Sequence, residues 1–220
     1  MSVASRAPLQ LAVLISGRGS NMAAIARACI SGEINARIRI VISDVPDAAG
    51  LTIATDLGIK ALAVPWQGAG NREAFERAVS AAIDERGADL VVLAGFMRIL
   101  SPQFATRYAG RMLNIHPSLL PKYTGLHTHR RVLEAGDTEH GASVHFVTAE
   151  LDGGPLVLQS KVPVLAGDTE GALAARVQIT EHVIYPQVIA MVADGRLTWD
   201  DGHVRLDGRL LEKPLVETYR

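Results

Sequence analysis

Leu9-Gln10-Leu11-Ala12-Val13-Leu14-Ile15 runs directly into Ser16-Gly17-Arg18-Gly19-Ser20-Asn21, and the reading of that junction decides the fold. The apolar run has the length and character of a buried strand, and beyond the glycines Met22, Ile25, Ala26 and Cys29 recur at helical spacing. The first unit is therefore strand, glycine loop, helix. The alternation continues downstream. Strands are expected at 36–42 and 61–64, and helices at 48–57 and 72–86, the second with Phe75, Val79 and Ile83 on one stripe and Asn71 as its N-cap. A strand over 90–94, a short helix over 102–107 and a strand through Asn114 follow. Strand-helix units with uniformly apolar strands predict an α/β fold, a Rossmann-like, mostly parallel twisted sheet with helices on both faces.

After His116 the pattern changes. A loop leads to a helix over 130–135, alternating residues 142–147 and a strand over 156–162, which predicts a mixed C-terminal extension of the sheet. Residues 170–192 form one long helix whose stripe includes Leu173, Val177, Ile184, Val188 and Met191, with a kink expected at Pro186. Leu197-Thr198-Trp199 and Val204-Arg205-Leu206, separated by Asp200-Asp201-Gly202-His203, read as a terminal hairpin. No repeat and no long linker divides the chain, so residues 1–220 are expected to form one domain with halves at 9–110 and 111–211.

The 220 residues carry a formal net charge of −1, so nothing in the balance pulls the chain toward nucleic acid or an anionic membrane, and an anion must be held by a local site. Cys29 is the sole cysteine, which excludes an internal disulfide and fits a reducing cytoplasm. The N-terminal apolar run is too short for a secretion signal or a membrane span.

Two places carry chemistry. The loop 16–21 puts glycines and small polar residues at a helix N-terminus, where free backbone amides and the helix dipole favour a phosphate. Met22 stands where a dinucleotide fingerprint wants a third glycine. Asp44, near the end of the second strand, is placed to hold a ribose, which keeps the dinucleotide alternative open. Ser20 and Asn21 add side-chain donors, which suits a phosphate monoester; a plain tight turn is the bland alternative. The second place is Asn114-Ile115-His116-Pro117-Ser118-Leu119-Leu120-Pro121. In an extended chain Asn114 and His116 project from the same side, and the prolines stiffen the exit. Asp152, in the turn Glu150-Leu151-Asp152-Gly153-Gly154-Pro155, can fold back toward a histidine and favour its imidazolium. Amide, imidazolium and carboxylate together suit stabilisation of an oxyanion at a carbonyl centre. A capping asparagine and a hydrogen-bonded core histidine are the structural alternative.

Glu181 falls on the apolar stripe of the long helix, so its carboxylate needs donors, from a ligand or from Arg176 or His182, and Gln178 lies nearby. His127, His129, His140 and His145 raise a metal site, but no cysteine accompanies them and Arg130 and Arg131 would repel a cation, so no metal is expected. No Gly-x-Ser-x-Gly elbow supports a serine hydrolase.

Four ordered motifs, Ser16 to Asn21, Ala94-Gly95-Phe96-Met97-Arg98-Ile99-Leu100-Ser101-Pro102, Asn114 to Pro121, and Leu151 to Pro155, resemble those of the formyltransferases that use 10-formyltetrahydrofolate. The resemblance covers nearly the whole chain, through Val177 to Pro186. It implies that Asn114, His116 and Asp152 are catalytic and that Gly19, Ser20 and Asn21 hold a phosphate. By the same likeness Gln178 and Glu181 hold the ribose and glycinamide of 5-phosphoribosylglycinamide, the acceptor in purine biosynthesis. The resemblance further implies a folate pocket built from Met97, Arg98, Ile99, Leu100 and Asn114, closed by Thr148, Ala149, Glu150, Leu151 and Asp152, with Arg72 near the glutamyl tail. Thr124 departs from the family pattern, where proline is familiar. A monomer or homodimer acting on small molecules is expected, without nucleic acid or membrane. A non-catalytic nucleotide-binding module and a formyl-folate hydrolase are the competing readings.

Overall fold

The structure is a computed structural model that describes residues 6–200 and 202–220. Its main sheet has eight strands, β1 (Leu9–Ile15), β2 (Ala36–Ser43), β3 (Ala61–Ala63), β4 (Leu90–Leu93), β5 (Met112–His116), β6 (Glu139–Phe146), β7 (Leu156–Pro163) and β11 (Leu215–Thr218), in the order β11-β7-β6-β5-β4-β1-β2-β3. From β3 to β5 every pairing is parallel. The strands β5, β6 and β7 then pair antiparallel, and β11 returns parallel to β7. This is the expected parallel sheet with a mixed extension. The chain order reverses between β1 and β4, and in open α/β sheets that reversal leaves a crevice at the carboxyl ends of the strands.

Both faces of the sheet are buried, which explains why β1 reads as a continuous apolar run rather than an alternating one. Leu11, Val13 and Ile15 pack in one core with α1 (Ser20–Ser31), α2 (Ala49–Asp56), α5 (Thr128–Ala135) and α6 (Glu170–Ala193). Ala12 and Leu14 pack on the other side with α3 (Arg72–Glu85) and α4 (Pro102–Arg107). Asn71 caps α3 as expected, its side chain accepting from the Ala74 amide at 2.8 Å. The fully buried Tyr185 on α6 donates its hydroxyl toward the carbonyls of Leu93 and Leu113, each at 3.0 Å, so one side chain spans β4 and β5.

Several boundaries move. Strand β6 begins at Glu139 and α5 at Thr128, both earlier than the apolar pattern suggests, because the added residues are polar. Helix α6 continues as a single helix through Pro186. The expected hairpin is β8 (Leu197–Asp200) with β9 (His203–Leu206), antiparallel, joined by β10 (Arg209–Leu210) in a second, three-stranded sheet. Asp201 in its turn lies outside the described residues. Strand β11 was not expected: it has only four residues and alternates half-buried and exposed, so it lacks an apolar run. Cys29 packs against the core, and burial pushes its thiol up to about 11, leaving it inert.

Candidate active site

The carboxyl ends of β1, β4 and β5 open into one cleft of ≈ 660 Å³, lined among others by Gly19, Asn21, Ile115, Pro117, Gln178 and Glu181. The glycine loop forms one wall. Gly19 adopts a left-handed φ of 71° as the N-cap of α1. A methyl group built there would sit 2.7 Å from the Cα of Gly50, so the close backbone approach and the positive φ both require glycine. The Gly50 amide donates to the Gly17 carbonyl at 3.0 Å, tying the start of α2 to the loop. The first amides of α1 have no carbonyl within the helix to bond and face the cleft end.

Helix α6 grips the same loop. Asn21 is buried and donates from Nδ2 to Oε2 of Glu181 at 2.7 Å, and Gln178 donates to the Ser20 hydroxyl at 3.1 Å. Burial pushes the Glu181 carboxyl up from the usual carboxylate range, and the Asn21 bond partly offsets this. The expected burial of Glu181 is present, but its partner is neither Arg176, which pairs with Asp168 at 2.6 Å, nor His182. One hydrogen of the Asn21 amide is thereby committed to Glu181, and the backbone N–H of Asn21 adds a further donor at the start of α1.

At the end of β5, Asn114 and His116 lie two residues apart on one strand face. Asp152 folds back as expected: its Oδ2 lies 3.5 Å from His116 Nδ1 and accepts the Gly125 amide at 2.9 Å. Asp152 takes a left-handed φ of 53°, a conformation Asp tolerates better than most residues. His116 Nε2 faces the Tyr123 carbonyl at 2.9 Å. Both ring nitrogens of His116 thus lie near oxygen atoms, one of a carboxylate and one of a backbone carbonyl. Gly154 brings the chain home from this turn, since a methyl group there would fall 1.8 Å from the Phe146 carbonyl oxygen.

Beside this pair, the segment after β4 presents Met97 and Ile99 to solvent, 61% and 60% exposed, and Leu151, in the turn that carries Asp152, is 53% exposed. Large apolar side chains left open beside a cleft fit a flat ring system better than water. The Met97 amide donates to the Ser16 hydroxyl at 2.7 Å, which couples this segment to the glycine loop. Arg98 pairs with Asp44 at 2.5 Å and lies over the Trp66 ring. That corrects the reading of Asp44 as a ribose ligand: its side chain is fully buried and held by Arg98. Leu100 is half-buried, as is Thr148, whereas Ala149 and Glu150 are exposed. Arg72 is exposed on the first turn of α3, three residues before Phe75, which packs on Trp66.

Among the described residues, no three His, Cys, Asp or Glu side chains gather as metal ligands would, and the four histidines have other neighbours. His127 precedes α5 with a left-handed φ of 57°. His129 and His140 bond each other at 2.9 Å, and burial pushes the His140 imidazole down to about 4. His145 faces Asn114 instead, with Asn114 Nδ2 3.2 Å from its Nε2.

Sequence reasoning missed the supports of the β5 residues. Antiparallel register sets Asn114 opposite His145 and His116 opposite Ser143. Ser143 accepts the Leu120 amide and donates to the Ser118 carbonyl, and Gln159 donates to both Ser143 and the Leu120 carbonyl, so a buried network fixes the chain leaving His116. Glu76 on α3 accepts from the Ser101 amide and hydroxyl, anchoring the far end of the Met97 segment. A signal did exist: polar residues two apart in β5, and again at Ser143 and His145 in β6, alternate with apolar ones.

Residues 9–189 match the formyl transferase family. Over 203 residues the chain is 56% identical to a phosphoribosylglycinamide formyltransferase of Escherichia coli (strain K12), covering 92% of this chain and 96% of that protein. The structure of a phosphoribosylglycinamide formyltransferase from Coxiella burnetii superposes with a TM-score of 0.90 at 47% identity, covering 95% of this chain and 99% of that one. A formyltetrahydrofolate deformylase from Pseudomonas syringae pv. tomato superposes with a TM-score of 0.84 at 26% identity, over 90% of this chain and 66% of that one.

Proposed function

The chain belongs to the formyl transferase family, and we propose that it moves the formyl group of 10-formyltetrahydrofolate to the amine of 5-phosphoribosylglycinamide in purine biosynthesis. The observation that carries this reading is the shared cleft: residues flanking His116 and the glycine loop line one space, so a phosphate at the loop and a carbonyl at β5 belong to the same reaction. The phosphate sits on the amides of Gly19, Ser20 and Asn21 at the α1 N-terminus. Gln178 and Glu181 meet the ribose and glycinamide. The pterin of the folate lies against Met97, Arg98, Ile99 and Leu100, with Thr148 to Asp152 over it and Arg72 toward the glutamyl tail. Residues 9–110 and 111–211 act as halves of one domain, because the cleft draws on both.

The neutral glycinamide nitrogen attacks the formyl carbon, and the carbonyl electron pair moves onto oxygen. An N–H of Asn114 and the Nε2–H of His116, which the Tyr123 carbonyl otherwise accepts, stabilise that oxyanion. Asp152 beside Nδ1 supports the imidazolium. The attacking nitrogen loses its proton, the folate nitrogen gains one, and the carbon–folate nitrogen bond breaks as the carbonyl re-forms, with a water near Asp152 as the proton route. Tetrahydrofolate and the formylated acceptor leave.

The test is spectrophotometric: tetrahydrofolate formation with and without the acceptor, for the parent chain and His116→Ala. Turnover that requires the acceptor and collapses in the variant is expected. Formate release without acceptor would favour the hydrolase reading that the deformylase likeness raises. Asp152→Asn is expected to lower turnover and alter its pH profile; if rate and profile both stay unchanged, the role given to Asp152 is wrong.

A further inference from the structure

His145 is 2% exposed and stands opposite Asn114 in the β5–β6 ladder. Its Nδ1 lies 2.9 Å from the Phe146 carbonyl oxygen, which has no proton to give, so Nδ1 must carry the hydrogen. Burial pushes this imidazole down from its ordinary value, so the ring holds that one proton. Nε2 is then a lone pair directed at the Asn114 amide at 3.2 Å. A lone pair accepts only from the nitrogen end of that amide; turned over, Asn114 would set oxygen against lone pair. Of the charged neighbours, His116 acts in the same direction and Asp152 against it, and burial outweighs the carboxylate. Asp152 Oδ1 lies 4.0 Å from Nε2, yet its closer imidazole is His116, at 3.5 Å, so the carboxylate serves the other ring.

We infer that His145 is a positioning residue for formyl transfer, a neutral imidazole that fixes which end of the Asn114 amide faces the reacting carbonyl. One amide hydrogen is spent on His145 and the other remains for the formyl oxygen. Without the lock the amide can rotate, and in the rotated form its own oxygen would repel the developing charge. This rests on the reading of Asn114 as an oxyanion donor. His145 itself touches no reacting atom.

The experiment uses two near-isosteric variants and a cycle, all in the full chain. His145→Gln can place an acceptor near the position of Nε2, whereas His145→Asn can keep the bond to Phe146 but has no atom that reaches Asn114. Expected is a loss of kcat in His145→Asn of about 10–100-fold, typical of outer supports, with KM for both substrates little changed. His145→Gln is expected to recover most of that loss. In an Asn114→Ala background, His145→Asn is expected to cost nothing further, because its effect passes through Asn114. Equal kcat in the two variants, or an undiminished loss in the Asn114→Ala background, would overturn the inference while leaving the function intact. A parent chain that leaves 10-formyltetrahydrofolate unchanged in the presence of acceptor would overturn the function and the inference together.

Discussion

The parallel and antiparallel halves of the sheet hold their functional groups by different means. On the parallel side the loop after β1 is shaped by backbone: Gly19 against Gly50, Gly50 bonded to Gly17, and the amides of α1 offered outward. On the antiparallel side the groups are side chains held by other side chains across a ladder, Asn114 by His145 and His116 opposite Ser143. Such a backbone site tolerates changes of side chain but not an added methyl group, whereas a ladder site tolerates neither a change of register nor a change of chemistry. Binding of an anion asks only for amides in place, but an oxyanion that exists briefly needs donors whose orientation is fixed beforehand.

The contrast can be tested by breaking each side. His116→Ala should have the largest effect, a loss of roughly 2.7–4 kcal/mol in the barrier to transfer, about 10²–10³ in kcat, with KM for the phosphorylated acceptor nearly constant. Steady-state kinetics in both substrates checks this, and a rise confined to KM would put His116 on the binding side. Gly19→Ala should do the reverse. A left-handed alanine costs roughly 1–3 kcal/mol, and its methyl group would also press on Gly50, so thermal stability and acceptor affinity should fall together. An unchanged acceptor KM would show that the loop does not hold the phosphate.

The joint between the halves is Tyr185, whose hydroxyl spans Leu93 and Leu113. Tyr185→Phe should lower stability in urea by about 1 kcal/mol, because the one hydroxyl proton that the two buried carbonyls share is lost. An effect confined to acid pH belongs to the His129–His140 pair on the antiparallel side. The His140 imidazole falls to about 4 in the fold, below its unfolded value near 6.5, so the unfolded chain binds the extra proton first. Its contribution to stability is present above pH of about 6.5 and is lost as pH falls toward about 4. Melting temperatures across that window should fall less steeply in His140→Phe than in the parent.

What could be read in the sequence follows the same division. The strand-helix alternation and the glycine loop are local, each written in a few adjacent residues, and they appear where expected. Asn114 and His116 could be paired in advance because two residues on one strand share a face. His145 could not be joined to them, because it lies 29 positions beyond His116, past a loop and a helix, and only antiparallel register brings it back. The burial of Glu181 followed from its place on the α6 stripe, yet its partner Asn21 lies 160 positions away. Asp44 left the dinucleotide alternative open for a related reason: a carboxylate at the end of a second strand suits a ribose until Arg98, 54 positions on, claims it. Short β11 gave no signal, being half exposed along its length.

The contact of Gly19 with Gly50 has a bearing on redesign. With two backbones touching, the glycine loop cannot be moved back to admit a longer acceptor or drawn in to grip a shorter one. Another part of the lining is Gly171, Ala174 and Ala175 on α6, small residues whose enlargement asks nothing of the backbone contact at Gly19. Acceptor length is therefore an adjustable property of α6 measured from a fixed origin, and engineering for a different amine should begin at those three positions.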